Sequence, residues 1–138
     1  MKKYLLLLIS FAFLSCGSDD DTSITNDPDA PKPTYSISVT ASSNRDYILE
    51  GTDANGEVSG NDPSITISVG DTISFSVNAA SHPFYIKTAQ GSGTGNQASG
   101  VSNNGATNAA VIWKPETTGT YYYQCSPHNG MYGTITVQ

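Results

Sequence analysis

Four side chains of types that commonly bind metal ions lie at spacings that could bring them to one point. Cys125, His128 and Met131 lie within one short segment, and His82 lies far earlier in the chain. Together they offer one thiolate, two imidazoles and one thioether, the donor set of copper sites that exchange single electrons. The thiolate holds Cu(I), the imidazoles suit both oxidation states, and a weak thioether favours neither strongly. The spacing therefore predicts a one-electron metal site.

The composition supports reading these residues as a set. The sequence has two histidines and two cysteines, and both histidines belong to the set. Taken singly, each residue has a plainer interpretation: a buried thiol, a core histidine, an exposed loop histidine or a methionine that fills space. An unpaired thiol in an oxidising compartment is a liability unless something uses it. The joint spacing therefore favours a metal site.

The first residues indicate export. Residues 1–15 begin with two lysines and continue as an apolar stretch that is too short to span a bilayer, which predicts a signal peptide. Leu14-Ser15-Cys16-Gly17 resembles a bacterial lipobox, with Phe13 as a small departure, so we expect Cys16 to carry a lipid. The alternative is an ordinary secretory peptide that leaves Cys16 as a spare thiol. Ser18-Asp19-Asp20-Asp21 resembles the acidic export tag of surface lipoproteins.

Residues 16–33 predict a flexible acidic tether. They contain five aspartates, one lysine and few large apolar side chains, so they cannot bury enough surface to offset the entropy of ordering. Residues 34–138 form the predicted domain and carry seven acidic against three basic residues, a net charge of −4. This balance makes nucleic acid a poor partner, because binding it demands a basic surface.

The remaining sequence predicts one all-β domain. Short runs alternate apolar residues with Ser or Thr and are separated by turn residues, the pattern of an antiparallel sandwich or barrel. The runs are Tyr35–Val39, Ile65–Val69, Ile73–Val77, Thr120–Cys125 and Gly133–Val137. Residues 88–110 instead contain mostly Gly, Ser, Asn, Thr and Ala, and we expect an excursion over one edge of the sandwich with a short strand near Gly100-Val101. A tolerated surface insertion and a partner-binding loop are both open for it.

The domain resembles the cupredoxins, specifically the plastocyanin, pseudoazurin and amicyanin group. Cys125-Ser126-Pro127-His128 is similar to the group's Cys-x-Pro-His loop, and Gly130-Met131-Tyr132-Gly133-Thr134 to its Gly-Met-x-Gly ending. Gly119-Thr120-Tyr121 corresponds to the start of the strand that carries the cysteine, and Val69-Gly70-Asp71-Thr72 to a hairpin. The ligand loop has the short amicyanin-like spacing. The resemblance implies a cupredoxin-like Greek-key β-sandwich and a tyrosine corner formed by Tyr121.

The resemblance implies one type 1 copper ion bound by His82, Cys125, His128 and Met131. Strand alternation agrees, because it places Tyr121, Tyr123 and Cys125 on one face, with Tyr122 and Gln124 on the other. The cysteine then points into a shielded interior, which suits a site that holds its geometry when the charge changes.

Two departures from the group affect the predicted site. Pro83 follows the first histidine, where the group has an asparagine whose N–H donates to the cysteine sulfur, and Pro127 removes another possible donor. Fewer hydrogen bonds to the thiolate favour Cu(II), so we expect a low reduction potential for the class. Gln124 stands where plastocyanin has a tyrosine of a remote electron route, so we expect electrons to pass through His128 instead.

These observations predict a single-electron carrier, a monomer tethered by lipid to the bacterial cell envelope with its folded domain outside the cytoplasm. A redox protein is expected to dock on an apolar patch around His128 formed by Pro83, Phe84, Pro127, Met131 and Tyr132. The alternatives are copper capture or delivery, and an interaction module without metal. We expect no enzyme, because copper enzymes of this fold need further histidines for a second copper.

Overall fold

A computed structural model describes residues 34–138, and the predicted signal peptide, Cys16 and the tether lie outside the described residues. The described part is all-β, with nine strands. They are β1 (Thr34–Thr40), β2 (Ile48–Asp53), β3 (Gly56–Asn61), β4 (Ile65–Ile67), β5 (Thr72–Asn78), β6 (Phe84–Lys87), β7 (Asn108–Trp113), β8 (Gly119–Cys125) and β9 (Tyr132–Val137). No helix within residues 34–138 is long and apolar enough to cross a membrane.

The strands form two sheets. One sheet has five strands in the order β3-β2-β1-β5-β7, and the other has four in the order β4-β9-β8-β6. β1 pairs with β5, and β4 pairs with β9, in parallel, and the other pairs are antiparallel. The prediction of a sandwich is confirmed, but the expectation of antiparallel pairing is wrong for these two pairs. Alternation reveals which face of a strand is buried and carries no information on the direction of its neighbour.

The predicted hairpin at Val69-Gly70-Asp71-Thr72 is also different in the structure. β4 and β5 belong to different sheets, so this tight turn carries the chain from one layer to the other. Gly70 supplies the positive φ of 82° that the turn requires. The Asp71 carboxylate accepts the N–H of Ser68 at 2.9 Å, and the Gly70 N–H donates to the Pro115 carbonyl at 2.8 Å. The local sequence predicts the turn correctly, but it does not predict that the turn joins two different sheets.

The core lies between the inward faces of the two sheets. Its largest members are aromatic: Phe84 stacks on Tyr123 with ring centroids 5.4 Å apart, and Tyr47 and Phe75 meet Phe84 at 5.1 and 5.0 Å. Gly133 on β9 is needed beside them, because a Cβ there would overlap the Tyr123 ring. This aromatic cluster lies directly below the strand ends that carry the predicted ligands.

The excursion is shorter than expected and runs back along the edge of β6. β7 begins at Asn108, so the excursion covers residues 88–107, and near Gly100-Val101 there is only a single bridge, between Ser102 and Ile112. The Ala98 N–H donates to the Ile86 carbonyl at 2.9 Å. The Asn104 side chain accepts the Ile86 N–H at 2.7 Å. The excursion therefore covers an edge that would otherwise expose unpaired backbone groups.

Candidate metal centre

Three of the four predicted ligands meet at one end of the sandwich. The ligand atoms of His82, Cys125 and His128 all lie within 4.8 Å of one another. The Cys125 Sγ is 3.4 Å from the His128 Nδ1 and 3.8 Å from the His82 Nδ1. Metal bonds of about 2.0 Å to nitrogen and 2.3 Å to sulfur in a trigonal plane separate sulfur from nitrogen by about 3.7 Å. The observed distances therefore fit one ion between the three atoms.

Each of these residues is positioned by a different part of the fold. Cys125 is the last residue of β8 and is fully buried. His82 lies between β5 and β6, where the chain crosses from one sheet to the other, and its N–H donates to the Ala79 carbonyl at 3.0 Å. His128 lies on the loop between β8 and β9. Ligands held by both sheets keep their separation when the charge at the site changes.

The loop from Cys125 to Met131 is closed by its own backbone. The Cys125 N–H donates to the Met131 carbonyl at 3.0 Å, and the Met131 N–H donates to the His128 carbonyl at 3.1 Å. Met131 itself is fully buried. A loop this short returns the chain to the cysteine because the two bonds bring its ends together, and the Met131 side chain is buried rather than in solvent.

The environment of His82 favours its neutral imidazole. Burial, followed by the neighbouring His128, lowers the pKa of His82. The two rings lie 5.0 Å apart between centroids, so protonating both would place like charges side by side. A histidine that binds a metal must offer a deprotonated nitrogen, and the surroundings of His82 favour that form.

The Cys125 sulfur has hydrogen-bond donors that the sequence did not reveal. Burial raises the pKa of the thiol, and hydrogen bonds from the Tyr47 hydroxyl and the His128 backbone lower it. Pro83 and Pro127 do lack an N–H, but the Tyr47 hydroxyl and the His128 backbone act as donors in their place. The low reduction potential stays a prediction. Tyr47 could not be found from the sequence, because it precedes β2 outside any alternating run, and no local pattern shows which groups its hydroxyl contacts.

The Tyr47 hydroxyl also holds the turn that carries His82. It lies 3.1 Å from the His82 carbonyl and 3.0 Å from the Pro83 carbonyl, and the ring is fully buried. One proton thus has three acceptors within reach, two carbonyls and the sulfur. An ionised sulfur is the strongest of them, because charge-assisted hydrogen bonds exceed neutral ones.

The surface around the site is narrower than predicted. Phe84 and Met131 are fully buried and do not belong to an exposed patch. Pro127 is exposed, and Pro83 and Tyr132 are half-buried beside the two half-buried histidines. The Tyr121 hydroxyl donates to the Thr117 carbonyl at 3.2 Å, which is the tyrosine corner that the resemblance implies.

A two-sheet β-sandwich that brings one cysteine and two histidines together in this way defines the class of type 1 copper proteins. The comparisons agree. The sequence model of the family described as copper binding proteins of the plastocyanin/azurin family matches residues 47–138. The chain belongs to this family, the cupredoxins, and is a type 1 copper electron-transfer protein.

Two solved structures of rusticyanin show the same fold. Reduced rusticyanin is 20% identical over 76% of this chain and 79% of its own, with a TM-score of 0.51. Rusticyanin from Thiobacillus ferrooxidans is 18% identical over 76% and 77% of the two chains, with a TM-score of 0.50. A pseudoazurin from Sinorhizobium is 24% identical over 76% and 73%, with a TM-score of 0.46. A comparison with curated proteins finds none that is similar to this chain.

Proposed function

We propose that this cupredoxin carries single electrons between redox proteins at the bacterial cell envelope, with His82, Cys125, His128 and Met131 as its copper ligands. The observation that carries the proposal is the convergence of the Cys125 sulfur and one ring nitrogen of each histidine within 4.8 Å. Copper held there supplies a one-electron couple. The fully buried Cys125 and the aromatic core below it keep water from the sulfur side of the site.

Electrons enter and leave through His128 in this proposal. Its ring is half-buried, and exposed Pro127 and half-buried Pro83 lie beside the site. A surface formed by so few residues suits brief docking of a redox partner, because such encounters use interfaces below about 1,200 Å². We propose a monomer, with the partner covering this surface alone. Both histidines of the sequence belong to the one site, so no imidazole is left for a second copper of an enzyme.

A copper titration followed by visible absorption tests the assignment of the ligands. We expect intense blue absorption at one equivalent of Cu(II), its loss in Cys125→Ser, and its retention in Ser126→Ala, the matched neighbour on the same loop. Reversible voltammetry of the loaded protein supports an electron carrier. Ready transfer of colourless Cu(I) to a chelator would instead support copper delivery.

We also propose that a lipid on Cys16 attaches the protein to the outer membrane or cell surface. The lipobox-like Leu14-Ser15-Cys16-Gly17 and the acidic residues after it support this location. Fractionation of cells that express the full chain is the test. We expect the protein in the membrane fraction, Cys16→Ser in the soluble fraction, and Ser18→Ala in the membrane fraction. A wild-type protein that is soluble throughout would contradict the anchor.

A further inference from the structure

Gln124 is fully buried although it lies on the outward face of β8. Cys125 and Tyr123 on either side of it point into the core, so alternation turns Gln124 away from the core. It is covered there by the excursion, residues 88–107, whose Gly91 N–H donates to the Gln124 Oε1 at 3.3 Å. A polar side chain in such a place must be hydrogen-bonded, because an unpartnered buried amide is costly.

The Gln124 amide is directed at the ligand loop. Its Nε2 lies 3.1 Å from the Cys125 carbonyl, 3.0 Å from that of His128 and 3.3 Å from that of Met131. The Asn129 carbonyl lies 3.4 Å away. Four carbonyl oxygens around one atom identify it as the nitrogen, since an oxygen there would have no proton to share. Two N–H protons therefore bind the backbone of three predicted copper ligands at once.

The excursion holds this amide in place through a second buried side chain. Lys87 is almost fully buried, and its Nζ donates to the Gly91 carbonyl at 2.5 Å and to the Gly93 carbonyl at 3.1 Å. The Gly93 N–H in turn donates to the Ser126 carbonyl at 2.7 Å, inside the ligand loop. The excursion thus contacts the ligand loop directly through Gly93 and indirectly through Gln124.

We propose that Gln124 is a positioning residue of the copper site, which fixes the backbone of the ligand loop with the support of Lys87 and residues 91–93. The proposal rests on the copper-carrier function. Electron transfer requires the ligands to stay in place when the charge changes, and a rigid loop keeps them there. Gln124 reaches the ligands through their carbonyls, on the side of the strand opposite the cysteine sulfur. At the position where plastocyanin has a tyrosine of a remote electron route, Gln124 has a structural role instead.

Amide hydrogen exchange in the metal-free full chain tests the clamp without copper. Gln124→Met keeps the size of the side chain and removes its hydrogen bonds. We expect exchange of the Cys125 and Met131 N–H groups to accelerate about tenfold or more, because two hydrogen bonds to a buried loop are lost. Gln97→Met is the matched control, since the Gln97 amide is exposed and donates to Thr94. It should change these rates less than about twofold.

A second variant keeps the test valid if Gln124→Met folds poorly. Lys87→Met leaves Gln124 intact and removes the support of Gly91 and Gly93, so we expect the same two N–H groups to exchange faster, by a smaller factor. Fluorescence of Trp113, the single tryptophan, reports whether each variant is folded. Unchanged exchange in both folded variants would overturn the proposal.

The copper-loaded protein supplies an independent readout. We expect the electron self-exchange rate of Gln124→Met to fall about tenfold and its visible spectrum to change, because a looser loop reorganises more between oxidation states. Gln97→Met should match wild type in both. Failure of the wild type to bind copper would refute the copper-carrier function and leave the exchange result standing. An unaltered self-exchange rate and spectrum in Gln124→Met would refute the role of Gln124 in the copper site.

Discussion

At the scale of single residues, the site shows how a lost interaction can be replaced from elsewhere in the fold. Pro83 cannot donate to the cysteine sulfur. Tyr47, which directly precedes β2 of the five-stranded sheet, places its hydroxyl beside both the sulfur and the turn of His82. The thiolate therefore keeps hydrogen bonds that stabilise it, and these oppose the lowering of the potential expected from Pro83.

Tyr47→Phe should lower the reduction potential. The substitution removes one hydrogen bond to the sulfur, and a bond worth about 1 kcal/mol more in one oxidation state corresponds to roughly 40 mV for one electron. Removing it makes the thiolate a stronger donor, which favours Cu(II). Voltammetry measures the shift. Tyr85→Phe, on the outer face of β6, is the control, and a potential of Tyr47→Phe equal to that of wild type would show that the hydroxyl proton stays on a carbonyl.

Asp62 gives the stability of the domain a dependence on pH. Its carboxylate accepts the Tyr47 N–H at 2.9 Å, but burial, with a further contribution from Asp46, raises its pKa to about 6. The unfolded chain releases this proton near pH 4. The folded state therefore binds the proton more tightly, and this group makes stability fall as pH rises from about 4 to about 6, with no further change above.

Asp62→Asn should remove that loss while keeping an oxygen that can accept the Tyr47 N–H. Because the carboxylate is partly exposed, we expect a gain of only about 1–2 kcal/mol at pH 7 and almost none at pH 4. Urea unfolding at both pH values measures it. Glu57→Gln, an exposed acid on β3, is the control; an equal gain for Asp62→Asn at both pH values would contradict the assignment.

At the scale of elements, β8 and β9 form the hairpin that presents the ligand loop, and their packing fixes its base. The Tyr123 hydroxyl donates to the Pro63 carbonyl at 2.7 Å, and its ring lies against Gly133 on the paired strand. The sequence located both strands from their alternation. It could not show the contact between Tyr123 and Gly133, which depends on the register of the pair.

Gly133→Ala should destabilise the domain by about 1–3 kcal/mol, because the new methyl group overlaps a buried ring that cannot move without breaking its hydrogen bond. Gly95→Ala is the matched control, since a Cβ at Gly95 meets nothing within 4 Å. Denaturant unfolding of both variants measures the difference. Equal stabilities would show that the Tyr123 ring shifts freely.

Several elements were missed for a physical reason. β2, β3 and β6 lack clean alternation, because glycines interrupt the first two, and three of the four residues of β6 are buried, whichever side of the strand they face. The sequence predicts the ligand loop because its residues are close along the chain and chemically specific. It cannot predict that Gln124 and Lys87 are buried, because the residues of the excursion that cover them show no hydrophobic alternation.

At the scale of the whole domain, the metal site joins the two sheets at one end of the sandwich. His82 follows the five-stranded sheet, and the ligand loop belongs to the four-stranded one. An ion bound between them adds a cross-link that exists only in the folded state, so binding must raise the stability of residues 34–138.

Removing copper should therefore lower the thermal midpoint. At a free copper concentration about 100 times the dissociation constant, the folded state gains about 2.7 kcal/mol, which corresponds to roughly 10–20 °C for a domain of this size. Calorimetry of the full chain with and without copper measures it. Cys125→Ser should show no such rise; an identical rise in that variant would place the metal elsewhere.

The contact between the excursion and the ligand loop limits how the site can be transplanted. Moving residues 125–131 alone onto another sandwich would carry the donors but leave behind the amide at position 124, the ammonium at position 87 and the glycine carbonyls that orient them. A successful graft needs two separate segments of this chain. The unit that must be transferred is therefore larger than the ligand loop alone.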